Sequence, residues 1–327
     1  MVKKIFFYPS KNLTLVIPVT LLAGLIMGNL MDLSMLKILI LPATFAMIYP
    51  TMIGFQLKTA FDLSYGKVVF WSILLNFVLI PLLAYGLGMA FLGGHPMLFA
   101  GLAIASLLPT SGMTISWTML TEGNVAAAVK MTVIGLLLGS LLAPWYLLVM
   151  IGQYVPIDVA HIFKIIAIVV MAPLILGHFT YQGLLRRYTV KEFQKKFKPV
   201  LPSFSVWAML LVIFASMGMR APMILGDPSL LLSAMGILLV FYLANFALST
   251  IVARLQFQRG DALALVFGTV LRNLSIALGI AVTAFDAQAA LIVTLAFIIQ
   301  VQGATWYGKL ADNFGFFPTE CSESTAA

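Results

Sequence analysis

The segment Leu107-Leu108-Pro109-Thr110-Ser111-Gly112-Met113-Thr114 lies in the middle of an apolar run from about Met97 to Leu120. A membrane-spanning helix tolerates proline, glycine and hydroxyl residues at its centre only where neighbouring protein satisfies the freed backbone groups. The segment therefore predicts a broken helix lining a cavity, the kind of span at which transporters bind cargo. Thr110, Ser111, Gly112 and Thr114 are its candidate binding residues.

The rest of the chain supplies a membrane context. With 62% hydrophobic and 9% charged residues over 327, and a mean hydropathy of +1.07, it lacks the charge that a soluble surface needs. It reads as an all-α, polytopic integral membrane protein. The single cysteine, Cys321 in the polar tail, excludes an intramolecular disulfide and a cysteine-based metal site. The first apolar segment follows Lys3, Lys4 and Lys11 but ends at Asn29-Leu30-Met31-Asp32 without a small-residue cleavage site, so it reads as a retained helix.

Runs of about 20 apolar residues suffice to cross the bilayer core. Ten are predicted, over Leu13–Met31, Ser34–Gln56, Val68–Leu92, Met97–Leu120, Asn124–Gly152, Ile162–Leu185, Val200–Met219, Ser229–Val252, Ala262–Phe285 and Ala287–Tyr307. Fourteen of the lysines and arginines fall on one set of loops, Lys58 and the Arg186–Lys198 run among them; only Lys37, Lys164 and Arg220 fall on the other. The positive-inside rule then makes both termini cytoplasmic in the cell membrane. The same asymmetry accounts for the net charge of +8 without a nucleic-acid partner. Arg186–Lys198 reads foremost as a topology anchor, with anionic lipid headgroups or a partner protein as the alternative occupants.

Ten spans divide at the outer loop 153–161 into five and five. Because five is odd, the second unit enters the membrane from the opposite side, as in inverted-repeat transporters. The expected organisation is one repeat over 1–152, a second over 153–310, and a cytoplasmic tail over 311–327, disordered from Phe316. Ser111 lies eleven residues before Glu122, and Arg272 eleven after Asp261. At 1.5 Å per residue both sit about 16 Å from the inner surface, near the midplane. The ninth-span counterpart of the first break is Gly268-Thr269-Val270-Leu271-Arg272-Asn273-Leu274-Ser275. A central arginine costs about 2.5–3.5 kcal/mol even on lenient insertion scales, so Arg272 must face the protein interior or water. A substrate or ion-replacing role for Arg272, beside Asn273 and Ser275, is set against simple bonding to carbonyls at a helix break. Lys130, about 9 Å deep in the fifth span, either snorkels to the surface or couples protons. Thr132 lies deeper in the same span.

Leu108-Pro109-Thr110-Ser111-Gly112-Met113-Thr114-Ile115-Ser116-Trp117, then Leu120 to Ala126 and Ala143-Pro144, resemble the fourth and fifth spans of the bile acid:sodium symporter superfamily, to which the arsenite permeases are related. Arg272-Asn273-Leu274-Ser275-Ile276-Ala277 resembles its ninth span. The resemblance implies a core domain with crossed, discontinuous fourth and ninth helices. It also implies a panel domain of the first, second, sixth and seventh spans, and alternating-access transport of small organic anions, commonly with sodium.

Residue by residue, Thr114 and Thr132 keep a sodium-ligand oxygen, whereas Ile115 and Ala128 replace polar ligands. Asn76 stands for the third-span glutamine, Gly268 for the ninth-span glutamate and Arg272 for the ninth-span glutamine. No carboxylate falls within a predicted span, so two sodium sites of the family's usual make are not expected. The fixed guanidinium of Arg272 either takes the place of the ion or grips an anionic cargo, aided by half-helix N-termini near Met113 and Leu274. The expected activity is thus secondary transport of a small organic anion, with no cofactor and no enzyme chemistry. An arsenite efflux permease is the runner-up, weakened because Thr110 occupies the cysteine place of that branch. A non-transporting receptor or scaffold is the third reading.

Overall fold

The structure, a computed structural model, describes residues 2–55, 64–219, 221–226 and 228–317. Lys58, Arg220, Cys321 and the tail beyond Phe317 lie outside the described residues. Among these residues all regular structure is helical. The main elements are α1 (Val2–Lys11), α2 (Leu13–Leu30), α3 (Lys37–Met52), α4 (Gly66–Phe91), α5 (Pro96–Leu107), α6 (Gly112–Leu120), α7 (Val125–Ile151), α8 (Val159–Leu185), α9 (Leu201–Gly218), α10 (Pro228–Gln256), α11 (Arg259–Val270), α12 (Leu274–Ala284) and α13 (Ala287–Asn313). Eight helical segments are long and apolar enough to cross a membrane, and ten spans result when the bent pairs α1–α2 and α5–α6 each count as one. The chain is a multi-pass membrane protein.

Prolines shape several spans. Wide, five-residue turns occur at Leu75–Leu79 in α4, Ala167–Met171 in α8 and Phe193–Phe197 in the connector before α9. The residues closing them, Ile80, Ala172 and Lys198, are each followed by a proline: Pro81, Pro173 and Pro199. A proline has no N–H to return to the carbonyl four residues back, and its ring crowds that carbonyl, so the preceding turn widens. In α4 the carbonyl so released, that of Phe77, accepts the hydroxyl of Tyr146 from α7. The same wide turn rotates Asn76 into the protein, where it is buried.

The helices fall into two contact groups. α2, α3, α8 and α9 pack on one another, chiefly through α9 with α2 and α3. Gly24 and Gly28 of α2 and Gly218 of α9 let those two backbones touch: a Cβ built on Gly28 would sit 1.9 Å from the Gly218 carbonyl oxygen. Small residues four apart are the usual means of such close approach in lipid. The other group is built around α5, α7, α11 and α13, with α4 and α10 against it.

One helix is added and one expectation is corrected. The chain before Leu13 forms a separate helix, α1, set at 97° to α2. Asn12 turns the corner, its side-chain amide donating to the Tyr8 carbonyl at 3.0 Å. At the other end α13 runs to Asn313, and Phe316 returns onto Tyr307 with ring centroids 6.1 Å apart while Phe317 is buried. The predicted disorder at Phe316 is therefore absent as far as Phe317.

Candidate functional site at the crossing of two interrupted helices

α5 and α6 meet at 58° across the non-helical residues 108–111. α11 and α12 are interrupted at 271–273 but keep the direction of one spanning segment, Arg259–Ala284. The two interruptions touch directly: the Asn273 N–H donates to the Leu108 carbonyl at 2.8 Å. The Thr114 hydroxyl lies 3.3 Å from the Phe267 carbonyl and 3.4 Å from that of Leu271, tying α6 to the end of α11.

α7 supplies the cradle for the first break. A Cβ on Gly135 would lie 2.6 Å from the Thr110 hydroxyl oxygen, and one on Gly139 would lie 3.1 Å from Pro109 Cδ. The break therefore rests on bare helix backbone. Thr110 itself is left-handed, at φ 57°, a conformation that a β-branched residue adopts only under constraint. Its hydroxyl bonds the Pro109 carbonyl at 2.7 Å and reaches the Met131 and Thr132 carbonyls of α7 at 3.5 Å. Ser111 caps α6, accepting from Met113 N at 3.2 Å, and Thr114 returns the favour on the Ser111 N–H at 3.2 Å. Such a capping box satisfies two otherwise orphaned groups.

Arg272 is 0% exposed. Its guanidinium donates to the Ser106 carbonyl, to Ala105 O at 3.4 Å, to Thr269 O at 3.0 Å and to the Asn76 side-chain oxygen. These carbonyls belong to the last turns of α5 and α11, the negative ends of both half-helices. The side chain is thus directed into helix ends, which gives no support to the grip on an anionic cargo. Asn76 completes the arrangement by donating to Gly268 O and to the Ser72 hydroxyl, each at 3.2 Å.

The backbone of Arg272 is held as firmly. Gln300 of α13 accepts from its N–H at 2.8 Å and donates to its carbonyl at 3.1 Å, and Tyr242 of α10 orients that amide through a 3.0 Å bond. Asn245 donates to the Thr269 carbonyl at 3.3 Å, with Ser249 bonded behind it. From the sequence, Gln300 and Asn245 read as cavity-lining or as helix–helix hydrogen-bonding residues, and Tyr242 as neither; polarity within a span is their only signal.

The remaining candidates are scattered. Lys130 is 5% exposed and donates to the Ser64 carbonyl ahead of α4, so it does not snorkel. Thr132 is buried and bonds back to Ala128 O at 2.8 Å within its own helix. The space beside Gly268 is filled by Met131, whose Cε would lie 3.1 Å from an added Cβ, so the glutamate that the resemblance implies at this position has no room here. Gly112, Asn273 and Ser275 are at least partly accessible, and all three lie at or next to the first turns of α6 and α12. α12 packs on α3 and α8, closely enough that a Cβ on Gly279 would meet Thr44 Cγ2 at 2.6 Å. α6 makes its main contacts only with α7 and α11, and leaves Gly112, Ser116, Met119 and Leu120 exposed.

Comparison with known proteins matches residues 41–227, more than half of the chain, to the sodium bile acid symporter family. The chain belongs to that family. Members of the family are membrane transporters and not enzymes. An uncharacterized protein of Bacillus subtilis (strain 168), YbaS, is 25% identical over 260 residues, 78% of this chain and 82% of that protein. A probable sodium/metabolite cotransporter of Arabidopsis thaliana, the chloroplastic BASS1, is 26% identical over 198 residues, 56% of this chain. The matched part is 48% of the plant protein, about half its length. The family match spans the first break and ends before α10, so it includes Asn76, Ala105 and Ser106 but not Arg272, Tyr242 or Gln300.

Proposed function

We propose that the chain is a secondary transporter of a small organic anion, working by alternating access in the cytoplasmic membrane with both termini inside. One observation carries this reading: the centre of the molecule separates two kinds of helix end. The C-terminal ends of α5 and α11 are buried on Arg272, whereas the N-terminal ends of α6 and α12 stay accessible at Gly112, Asn273 and Ser275. The positive end of the helix dipole favours an anion, with Ser111 and Asn273 already capping Met113 and Ile276. Cargo in this reading sits against those two turns and against the first-turn hydroxyls, and not on the guanidinium.

The helices α2, α3, α8 and α9 form the panel and the others the moving core, built as inverted repeats over 1–152 and 153–310. The tight contact of α12 with α3 and α8, beside an α6 that stands clear, supports an inward-facing arrangement. The Thr44 hydroxyl, buried without a partner at that contact, fits a surface that separates during the cycle.

Sodium is the coupling ion named for the plant relative. In this chain the fixed charge of Arg272 replaces a cation at the crossing, and Ile115, Ala128 and Gly268 remove further ligands, so transport proceeds without a sodium gradient. Flux of labelled carboxylates and sulfonates into proteoliposomes, with and without a sodium gradient, tests this directly. Anion uptake equal in both conditions is expected. Uptake that requires sodium would overturn the ion-replacement part, and absence of any anion flux would overturn the carrier reading.

A further inference from the structure

The inner end of the panel is built as a surface. α1 lies at 97° to α2, so that with α2 crossing the bilayer α1 would run along its surface, as interfacial helices do. It is fastened to the first turns of α9 by three contacts: Trp207 Nε1 donates to the Phe6 carbonyl at 3.1 Å, the Ser10 and Ser203 hydroxyls bond at 2.9 Å, and the Phe6 and Phe204 rings meet edge to face at 4.9 Å. The connector into α9 is equally fixed. Thr189 and Glu192 form a capping box, and buried Phe193 packs under Gly54 and against Tyr181.

This framework holds a concentrated positive charge. Lys4 and Lys11 from α1 are exposed, as are Arg186, Arg187, Lys191, Lys195, Lys196 and Lys198 from the connector. Among the described residues of this end the one acid is Glu192, already bonded to Thr189 and paired with Lys196 at 3.3 Å. The inner end of the core differs: Glu122 and Asp261 stand among Lys67, Arg254, Arg259 and Lys309. A bias that served only to orient the chain would not need to gather on one of the two parts, nor to be held on a rigid interfacial platform flanked by exposed Ile5 and Tyr8.

We propose that this end of the panel is a binding surface for anionic phospholipid headgroups of the leaflet it faces. Positive charge on ordered backbone at headgroup depth, with apolar side chains beside it, is complementary to that layer and to little else within reach. The binding anchors one part while the other moves. The division into panel and core rests on the transport reading above, whereas headgroup binding needs only the membrane-spanning fold.

The test uses the purified full chain in non-ionic detergent, with phosphatidylglycerol, phosphatidylcholine or inorganic phosphate added, read by melting temperature and by native mass spectrometry of retained lipid. Phosphatidylglycerol should stabilise and be retained, less so at high salt, while the other two should not. Each interfacial lysine contributes about fivefold to partitioning onto an anionic surface, so replacing Lys191, Lys195, Lys196 and Lys198 by Gln should weaken retention by at least about tenfold. The core variant Arg254→Gln with Lys309→Gln should retain lipid as the wild type does. Equal effects of the two lipids, a shift reproduced by free phosphate, or full retention by the connector variant would overturn the proposal. Because none of these readouts needs flux, failure here and failure of the carrier reading are separable.

Discussion

Arg272→Met, read in protein without cargo, separates a guanidinium that builds the site from one that waits for an anion. The substitution keeps an unbranched apolar stem and removes every donor. Three acceptors lose their partner, the carbonyls of Ala105 and Ser106 and the amide oxygen of Asn76, while the Thr269 carbonyl keeps the Asn245 amide. A stranded buried acceptor costs about 1–3 kcal/mol, so the three together reach about 3–9 kcal/mol. Two effects reduce that sum: removing a buried charge recovers several kcal/mol of desolvation, and bonds inside membrane proteins average nearer 0.6 kcal/mol each. A net loss of about 2–4 kcal/mol remains, on the order of 5–10 °C in melting temperature for a chain of this size. Arg272→Gln, which keeps an amide donor without charge, should lose less. Scanning fluorimetry in detergent gives both numbers. A Met variant as stable as the wild type, or more so, would refute the reasoning, because a side chain reserved for cargo costs stability until cargo arrives.

Gln300→Leu removes two bonds to the Arg272 backbone, whose N–H and carbonyl keep Val270 O and Leu274 N–H as partners, and should lower stability by about 1–2 kcal/mol, measurable in the same assay. Gly28→Ala drives a methyl into the Gly218 backbone, which cannot yield as a side chain would; loss of at least about 1–3 kcal/mol and reduced folded yield on size exclusion are expected. Tyr146→Phe removes the donor to the Phe77 carbonyl freed by Pro81 and should cost about 1 kcal/mol. Thr110→Gly relieves left-handed strain of about 1–2 kcal/mol while losing a hydroxyl bond of similar worth. Its stability should therefore stay near wild type while anion flux falls, since the break is no longer held in one shape.

The breaks were legible because Pro109 and Gly112, or an arginine at 272, are too costly at mid-span to be accidental. A count of eight to ten spans follows from length and hydropathy. The partners of the polar residues were hidden for a different reason. Gln300 lies 28 residues from Arg272 on a helix of ordinary hydropathy, and only the packing of α13 brings its amide to that backbone. Lys130 illustrates the same limit, since its depth suggested snorkelling while the carbonyl it meets belongs to Ser64, 66 residues away in sequence. α1 was missed because ten residues around Pro9 are too few to read as a span, though its alternation of Lys4, Phe6, Phe7 and Lys11 is that of an interfacial helix. Glycine positions were visible throughout, but which of them carry a close approach depends on what crosses there, as Gly135 and Gly139 show under the first break.

A single fixed cation at the crossing changes what the two interrupted helices can do. In an inverted pair of broken spans, two helix C-termini and two N-termini converge at the same depth, so their dipoles oppose one another unless one kind of end is neutralised. A mobile cation performs that task only while it is bound, and its departure would release the C-terminal carbonyls as well. A guanidinium bonded to Ala105, Ser106 and Thr269 performs it permanently, because arginine stays charged and its donors fan out in one plane toward several acceptors at once. The N-terminal ends of α6 and α12 are then left with an unopposed positive potential whether or not any ion is present. Under the proposed transport of an anion, cargo entering beside Gly112 and Ser275 would meet that potential directly, and the driving force for its binding would be separated from ion binding by the chemistry of residue 272.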